Sequence, residues 1–244
     1  MSLPGHIDRT YRSYTSNRIY SRFTVKISET DLYILADSDL RDSAFCSALG
    51  YRAQIEEYIR IHPEFKTSLV PIHEDNLAPE IVRDMLRASK MAGVGPMASV
   101  AGAIAEYVGK DLLKNSANVI VENGGDIYLN VKDDVSIGIF AGDSPLSEKI
   151  ALKIAANETP LGICTSSGTV GHSLSFGVAD AVCIKSHSAT LADAAATSVG
   201  NIIKNQSDVK RGLERAMAIK GVLGVLIVTG NTLAIQGAME IKKA

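Results

Sequence analysis

Phe23, Val25 and Ile27 alternate with polar residues, and a denser apolar run, Leu32 to Ala36, follows the interruption Glu29-Thr30-Asp31. A period of two broken by a short polar segment predicts two antiparallel strands within residues 9–37. From Asp39 to Ile61 the period becomes helical: Leu49, Ala53, Glu56, Glu57 and Arg60 suggest a wet and a dry face, and Pro63 ends the run. Residues 64–79, with Pro71 and Pro79, predict irregular chain. A helix begins at Pro79 and runs to Lys90 with Ile81, Val82, Met85 and Leu86 inward. A second helix is predicted over Met97–Leu113, with a mostly small face that includes Ala101, Gly102 and Ala105. Strands at Val119–Val121 and Ile127–Leu129 flank Glu122 to Asp126, Val135–Phe140 alternates again, and residues 149–166 add one or two more strands. Gly162–Ile203 then reads as strand, hydroxyl-rich turn, strand and a helix opening at Thr190. A helix at 207–219 and two strands within Gly221–Met239 complete the pattern.

Strands thus cluster apart from helices, which predicts an α+β fold with antiparallel sheets carrying helices on one face. No linker-like stretch divides the 244 residues, so a single domain spanning 1–244 is expected, with two β-then-α halves at about 1–115 and 116–244. The net charge is −2, from 25 basic and 27 acidic residues, and Lys and Arg are dispersed. That is not the footprint of a nucleic-acid partner. The most apolar stretch, Gly221–Met239, is interrupted by Gly224, Gly230, Asn231 and Gln236, so no membrane span is expected. The polar opening MSLPGHIDRTYRS lacks a signal-peptide pattern, which points to a cytoplasmic protein. Cys46, Cys164 and Cys183 are far apart with no CxxC or Cys/His spacing, so reduced thiols are expected rather than a zinc site.

Oxygen ligands and hydroxyls concentrate in Gly162–Ile203 as nowhere else, and two other Gly-containing turns, at 93–98 and 123–126, read as further walls of the same site. Asp193 and Thr197 stand four apart on one predicted helix face, a carboxylate and a hydroxyl suited to a hard cation such as Mg2+. Thr190 with Asp193 equally makes a capping box, with Asp193 at its third position. Thr165, Ser166, Ser167 and Gly168 follow a strand and suit a phosphate nest, or an ordinary turn. His172, three residues on from Thr169, is the candidate acid/base. Asn123, Gly124, Gly125 and Asp126 read either as a tight hairpin or as a turn on which a ligand lies, with Asp126 and Glu122 accepting hydrogen bonds from ribose or a base. Gly93 and Gly95 precede the helix that Pro96 and Met97 open, where free N–H groups meet an anion or the glycines allow close packing.

In this order the segments resemble the ApbE flavin transferases, over roughly residues 93–203. The resemblance rests on Gly95 to Ala98, Asn123-Gly124-Gly125-Asp126, Thr165-Ser166 with Gly168, His172, and Ala192-Asp193 with Thr197. Over nearly the whole chain Val94 to Ala98, Val121 to Asp126 and Glu29 to Leu32 are similar to an uncharacterised branch related to ApbE. The resemblance implies duplicated T-fold-like units that bind FAD with Mg2+. It also implies transfer of FMN from FAD to a Ser or Thr hydroxyl of a target protein, or cleavage of the FAD pyrophosphate. By the same resemblance Asp193 and Thr197 hold the magnesium, Ala98 contributes a backbone carbonyl, and His172 sits near the phosphates.

The chain departs from the family after His172, where Ser-Leu-Ser-Phe176-Gly177 stands in place of Asp-Pro-x-Thr-Gly, and at Ser99, where the family has Lys. The turn at Thr165 to Gly168 also has one extra residue. Two other functions therefore stand beside the first: a flavin- or nucleotide-binding module without catalysis, and a T-fold enzyme of the pterin or purine type. T-fold sites generally lie between subunits, so a homo-oligomer belongs among the outcomes.

Overall fold

In the computed structural model, residues 14–15, 20–167 and 178–244 are described; His172 and Gly168 lie outside them. Among the described residues an eight-stranded antiparallel sheet carries helices on one face and a smaller four-stranded sheet on the other.

The alternation at Phe23 and Val25 forms β2 (Ser21–Ile27), paired antiparallel with β3 (Thr30–Ala36). Three helices follow: α1 (Arg41–Ile61), the single turn α2 (Glu64–Thr67) and α3 (Glu80–Ala92). Pro79 precedes α3 and Gly93, at φ 73°, stops it in the left-handed conformation that glycine adopts without strain. The helix expected over Met97–Leu113 is two pieces, a 3-10 turn at Pro96–Ser99 and α4 (Val100–Leu112). The hairpin reading of the Asn-Gly-Gly-Asp segment is what forms: β4 (Val119–Asn123) pairs with β5 (Asp126–Asn130) across Gly124 and Gly125, both at positive φ.

β6 (Val135–Gly138) and β7 (Ile150–Ile154) leave the large sheet and build the small one with Tyr14–Thr15 (β1) and Glu240–Lys243 (β12). The Lys242-Lys243 tail is therefore a strand, paired with β7. The chain returns through β8 (Leu161–Ser166) and β9 (Ala181–Ser186) to α5 (Ala189–Ile202) and α6 (Val209–Ala218), then β10 (Val222–Thr229) and β11 (Thr232–Gly237).

The large sheet reads β11-β10-β9-β8-β5-β4-β3-β2. Each flank is strand, strand, helices, strand, strand, and the two flanks join where β5 pairs with β8. The strand order thus changes flank between β5 and β8. Strand alternation feeds two cores. Val182 and Ile184 of β9 enter the helix-side core, while Ala181 and Cys183 enter the core beneath the small sheet. Among the described residues no helix is long and apolar enough to cross a membrane.

Candidate functional site

The site lies on the helix side of the large sheet, where the first turns of α4 and α5 cross the ends of β4, β5 and β8. Two glycines make that crossing close. A Cβ on Gly102 would fall 2.3 Å from the Ala189 carbonyl oxygen, and one on Gly162 would fall 2.3 Å from the Ala189 backbone. Ala189 therefore seats the start of α5 against both α4 and β8.

Within Ala189–Gly200 every residue is buried except Asp193 and Thr197, which are half-buried. The four-residue spacing thus opens one stripe of an otherwise sealed helix. Asp193 does not act as the third residue of a capping box. The helix begins one residue earlier than expected, and its N-cap is Ser188, whose hydroxyl accepts from the Leu191 N–H at 3.2 Å. Asp193 instead accepts from the Gly102 N–H at 2.9 Å, with the Ala101 N–H also directed at it. These are free N–H groups of the first turn of α4. Burial nonetheless raises its carboxyl to about 7, against the pull of those two donors.

The other walls meet this point. Asn123 donates from Nδ2 to the Ala101 carbonyl at 3.1 Å, tying the β4–β5 hairpin to the same turn of α4. Asp126, at the start of β5, is buried within electrostatic reach of Asp193. Its carboxyl is pushed well above the ordinary range by burial first and the Asp193 charge second; the Cys164 thiol and the Thr165 N–H partly offset this. Cys164 reaches the Ala189 carbonyl at 3.3 Å, and its own thiol is pushed up by burial and by Asp126 and Asp193. Ser166 lies two residues further along the same face of β8, buried, and its Oγ has no hydrogen-bond partner among the described residues. Glu122 accepts from the Gly125 N–H at 2.8 Å across the hairpin. A Cβ on Gly124 would meet nothing within 4 Å, so the turn borders open space.

Other expected residues have different neighbours. A Cβ on Gly95 would fall 1.8 Å from the Ser68 carbonyl oxygen, so this glycine admits the chain after α2. Gly93 lies against Arg215, whose guanidinium donates to the Ala92 carbonyl and to Ser198. Met97 and Ala98 lie in the 3-10 turn, half-buried on the helix-side core, and the Ala98 N–H donates to the Gly95 carbonyl at 3.1 Å. Thr165 and Ser167 are half-buried at the end of β8.

The family model described as "AbpE bacteria" matches residues 12–244. A UPF0280 protein of Methanococcus aeolicus is 44% identical over 213 residues, which is 85% of this chain and 86% of that protein. One of Methanocaldococcus jannaschii is 44% identical over 194 residues, 78% and 79% of the two chains. Among solved structures, the apo form of Pseudomonas stutzeri flavinyl transferase ApbE is similar with a TM-score of 0.58 at 12% identity, over 90% of this chain and 94% of that one. The apbe protein of Thermotoga maritima is similar with a TM-score of 0.52 at 14% identity, over 90% and 97%. The chain belongs to the ApbE-like family. At such identities the two solved structures speak for the fold of this ApbE-like chain and not for its reaction.

Sequence reasoning missed two parts of this site. The first is that Asp126 comes within electrostatic reach of Asp193, since a long-range pairing of β5 with β8 and α5 makes them neighbours. The second is Glu106 of α4, buried at 5% exposure. Its Oε2 accepts from Ser188 Oγ at 2.9 Å and from the Thr190 N–H and Oγ1 at 3.0 Å each, and its Oε1 meets Lys110 Nζ at 2.7 Å. Burial works to raise this carboxyl, yet Lys110, Thr190 and Ser188 together hold it below the ordinary value. The available signal was an acid four residues from a Lys on a small-residue helix.

Among the described residues, no group of three or more His, Cys, Asp or Glu is arranged to hold a metal ion. The oxygen set at hand is two carboxylates and the Thr197 hydroxyl. It suits a cation that retains part of its water shell, as Mg2+ does. Two neighbouring carboxylates raised by burial, Asp126 also by the Asp193 charge, with an unpartnered buried hydroxyl on β8, fit a cation and its anionic ligand.

Proposed function

We propose that this protein binds FAD together with Mg2+ and acts on the FAD pyrophosphate, either transferring FMN to a Ser or Thr hydroxyl of a target protein or cleaving FAD with water. The observation that carries the proposal is the pair Asp126 and Asp193, close enough for the charge of one to raise the carboxyl of the other. Two acids held together in a low-dielectric setting favour a cation between them. In this reading Asp193 and Thr197 hold the ion, with the Ala98 carbonyl, and Asp126 adds the second carboxylate. Magnesium there would supply charge neutralisation to the pyrophosphate and the departing AMP.

The rest is done by the chain itself. Asn123, Gly124, Gly125, Thr165, Ser166, Ser167 and Gly168 line the flavin nucleotide, with Ser166 Oγ donating its unmet hydrogen bond to the ligand. Met97 is assigned to the wall beside the ion, whereas Gly93 and Gly95 are taken up by packing against Arg215 and the chain after α2. His172 retains the acid/base role assigned from its place after the turn. The units on either side of the β5–β8 seam are read as T-fold-like, and a cytoplasmic location and homo-oligomeric assembly belong to the same proposal.

The test is to incubate the protein with FAD and Mg2+ and to measure AMP by chromatography. AMP release lost on chelation and in Asp193→Ala supports the proposal; no AMP with any divalent metal, with or without candidate acceptor proteins, removes the catalytic form. A binding module is the second reading, favoured by Ser173-Leu174-Ser175 where the family's transferases have Asp-Pro-x-Thr-Gly. It requires a thermal shift with FAD but no turnover.

A further inference from the structure

The geometry points to Glu106 as the residue that positions Asp193, through a pair of carboxylate caps that α4 and α5 exchange; the inference rests on the site proposed above. Each helix begins beside the other, and each receives at its first turn an acid from its neighbour. Glu106 of α4 accepts from Thr190 N–H and Oγ1 and from Ser188 Oγ, all through Oε2. Asp193 of α5 accepts from Gly102 N–H through Oδ2.

Gly102 and Glu106 are one turn apart on α4, and Thr190 and Asp193 about one turn apart on α5. A single cap would let α5 pivot on α4. Two caps crossing in opposite directions fix both its rotation and its register. The close approach at Gly102, where no Cβ fits against Ala189, removes the remaining slack.

The clamp matters because Asp193 lies within electrostatic reach of Asp126. Like charges resist that approach, and the site has to hold its shape before any cation arrives. Glu106 can carry its own charge at low cost, since Lys110 Nζ sits on its other oxygen at 2.7 Å. The charge-paired acid thereby holds the metal-facing one in place, as an outer hydrogen-bond shell orients the ligands of a metal.

The test compares Glu106→Ala, Glu106→Gln and, as a control at another point on α5, Ser198→Ala. Amide hydrogen exchange at Gly102 is read in the protein without metal or flavin, and Mg2+ affinity is read by competition with Mn2+ in paramagnetic resonance. Glu106→Ala should exchange Gly102 about tenfold faster than the loss of global stability, read from the amides of β9, accounts for, the protection of about one net hydrogen bond. Its Mg2+ affinity should fall about tenfold. Gln presents a carbonyl oxygen where Oε2 sits, so Glu106→Gln should restore both, and Ser198→Ala should alter neither.

If Glu106→Ala does not fold, Thr190→Val replaces it, removing one of the three donors. Unchanged Gly102 exchange, or faster exchange spread equally over β9, overturns the clamp. Because that exchange is measured without ligand, it decides the clamp even if the wild type binds no Mg2+, a result that would instead defeat the proposed function.

Discussion

Where α4 meets α5 the molecule buries two sets of acids, and they are treated oppositely. Glu106 has a lysine, a backbone N–H and two hydroxyls, and its carboxyl is held below the ordinary value despite burial. Asp193 and Asp126 lie within electrostatic reach of each other with backbone donors and a thiol, and both are held above it. A buried acid that is fully paired is part of the framework. A pair of acids both raised by burial, one of them also by the other's charge, has a use for a cation that the fold itself does not supply. The direction of the shift, more than the depth of burial, separates framework from site.

The comparison can be broken at several points. The largest effect is expected at Asp193→Asn. The amide still accepts from Gly102 but forfeits the charge, so Mg2+-dependent AMP release should drop about a hundredfold or more, comparable with losing a key electrostatic group. The ligand-free melting temperature should not fall, because the repulsion with Asp126 is relieved. A large loss of stability without loss of Mg2+ binding would place Asp193 in the framework beside Glu106.

The reverse pattern is expected at Glu106→Ala, which strands the Thr190 N–H and two hydroxyls: unfolding in urea should show a loss of about 2–3 kcal/mol. Gly102→Ala acts on both regions together, since its Cβ would lie 2.3 Å from the Ala189 oxygen and 2.8 Å from Asp193 Cβ. It should cost about 1–3 kcal/mol by overpacking and weaken Mg2+ in proportion.

A pH series sharpens the contrast further. Asp193, raised to about 7, keeps its proton in the folded chain where the unfolded chain has lost it, and Asp126 shifts the same way. Stability of the metal-free protein from this pair should therefore be greatest on the acid side and decline as pH rises toward 7. Mg2+ competes with those protons, so its stabilising effect in calorimetry should be larger at about pH 8 than at about pH 5. Glu106 contributes in the opposite sense, its stability being lost as pH falls through its lowered value.

The smallest effect belongs to Gly124→Ala. No atom lies within 4 Å of the added carbon, so only the positive φ of 68° resists it, at about 1 kcal/mol. A flavin affinity that falls much further than stability would mark this turn as ligand-bearing.

Local pattern was legible because it depends on neighbours in sequence. Alternation at Phe23 and Val25, the Asn123–Asp126 hairpin and the Pro79 helix start all formed where expected. The Thr190–Asp193 capping box did not, because a better acceptor for the Thr190 N–H arrives from residue 106. The helix expected to open at Met97 likewise starts with a separate turn through Ser99. Charged Lys242 and Lys243 carry no apolar alternation, and only pairing with β7 makes them a strand.

From residue order alone came the α+β class, the apolar faces, the tight turn at Gly124-Gly125 and the spacing that sets Asp193 and Thr197 on one stripe. Each follows from chain stereochemistry acting over a few residues. Which acid would be neutralised and which left beside another was decided only when α4, α5, β5 and β8 packed together. Charge interactions depend on distance through the folded protein, and residues 102, 106, 126 and 193 become neighbours through contacts that no local period encodes.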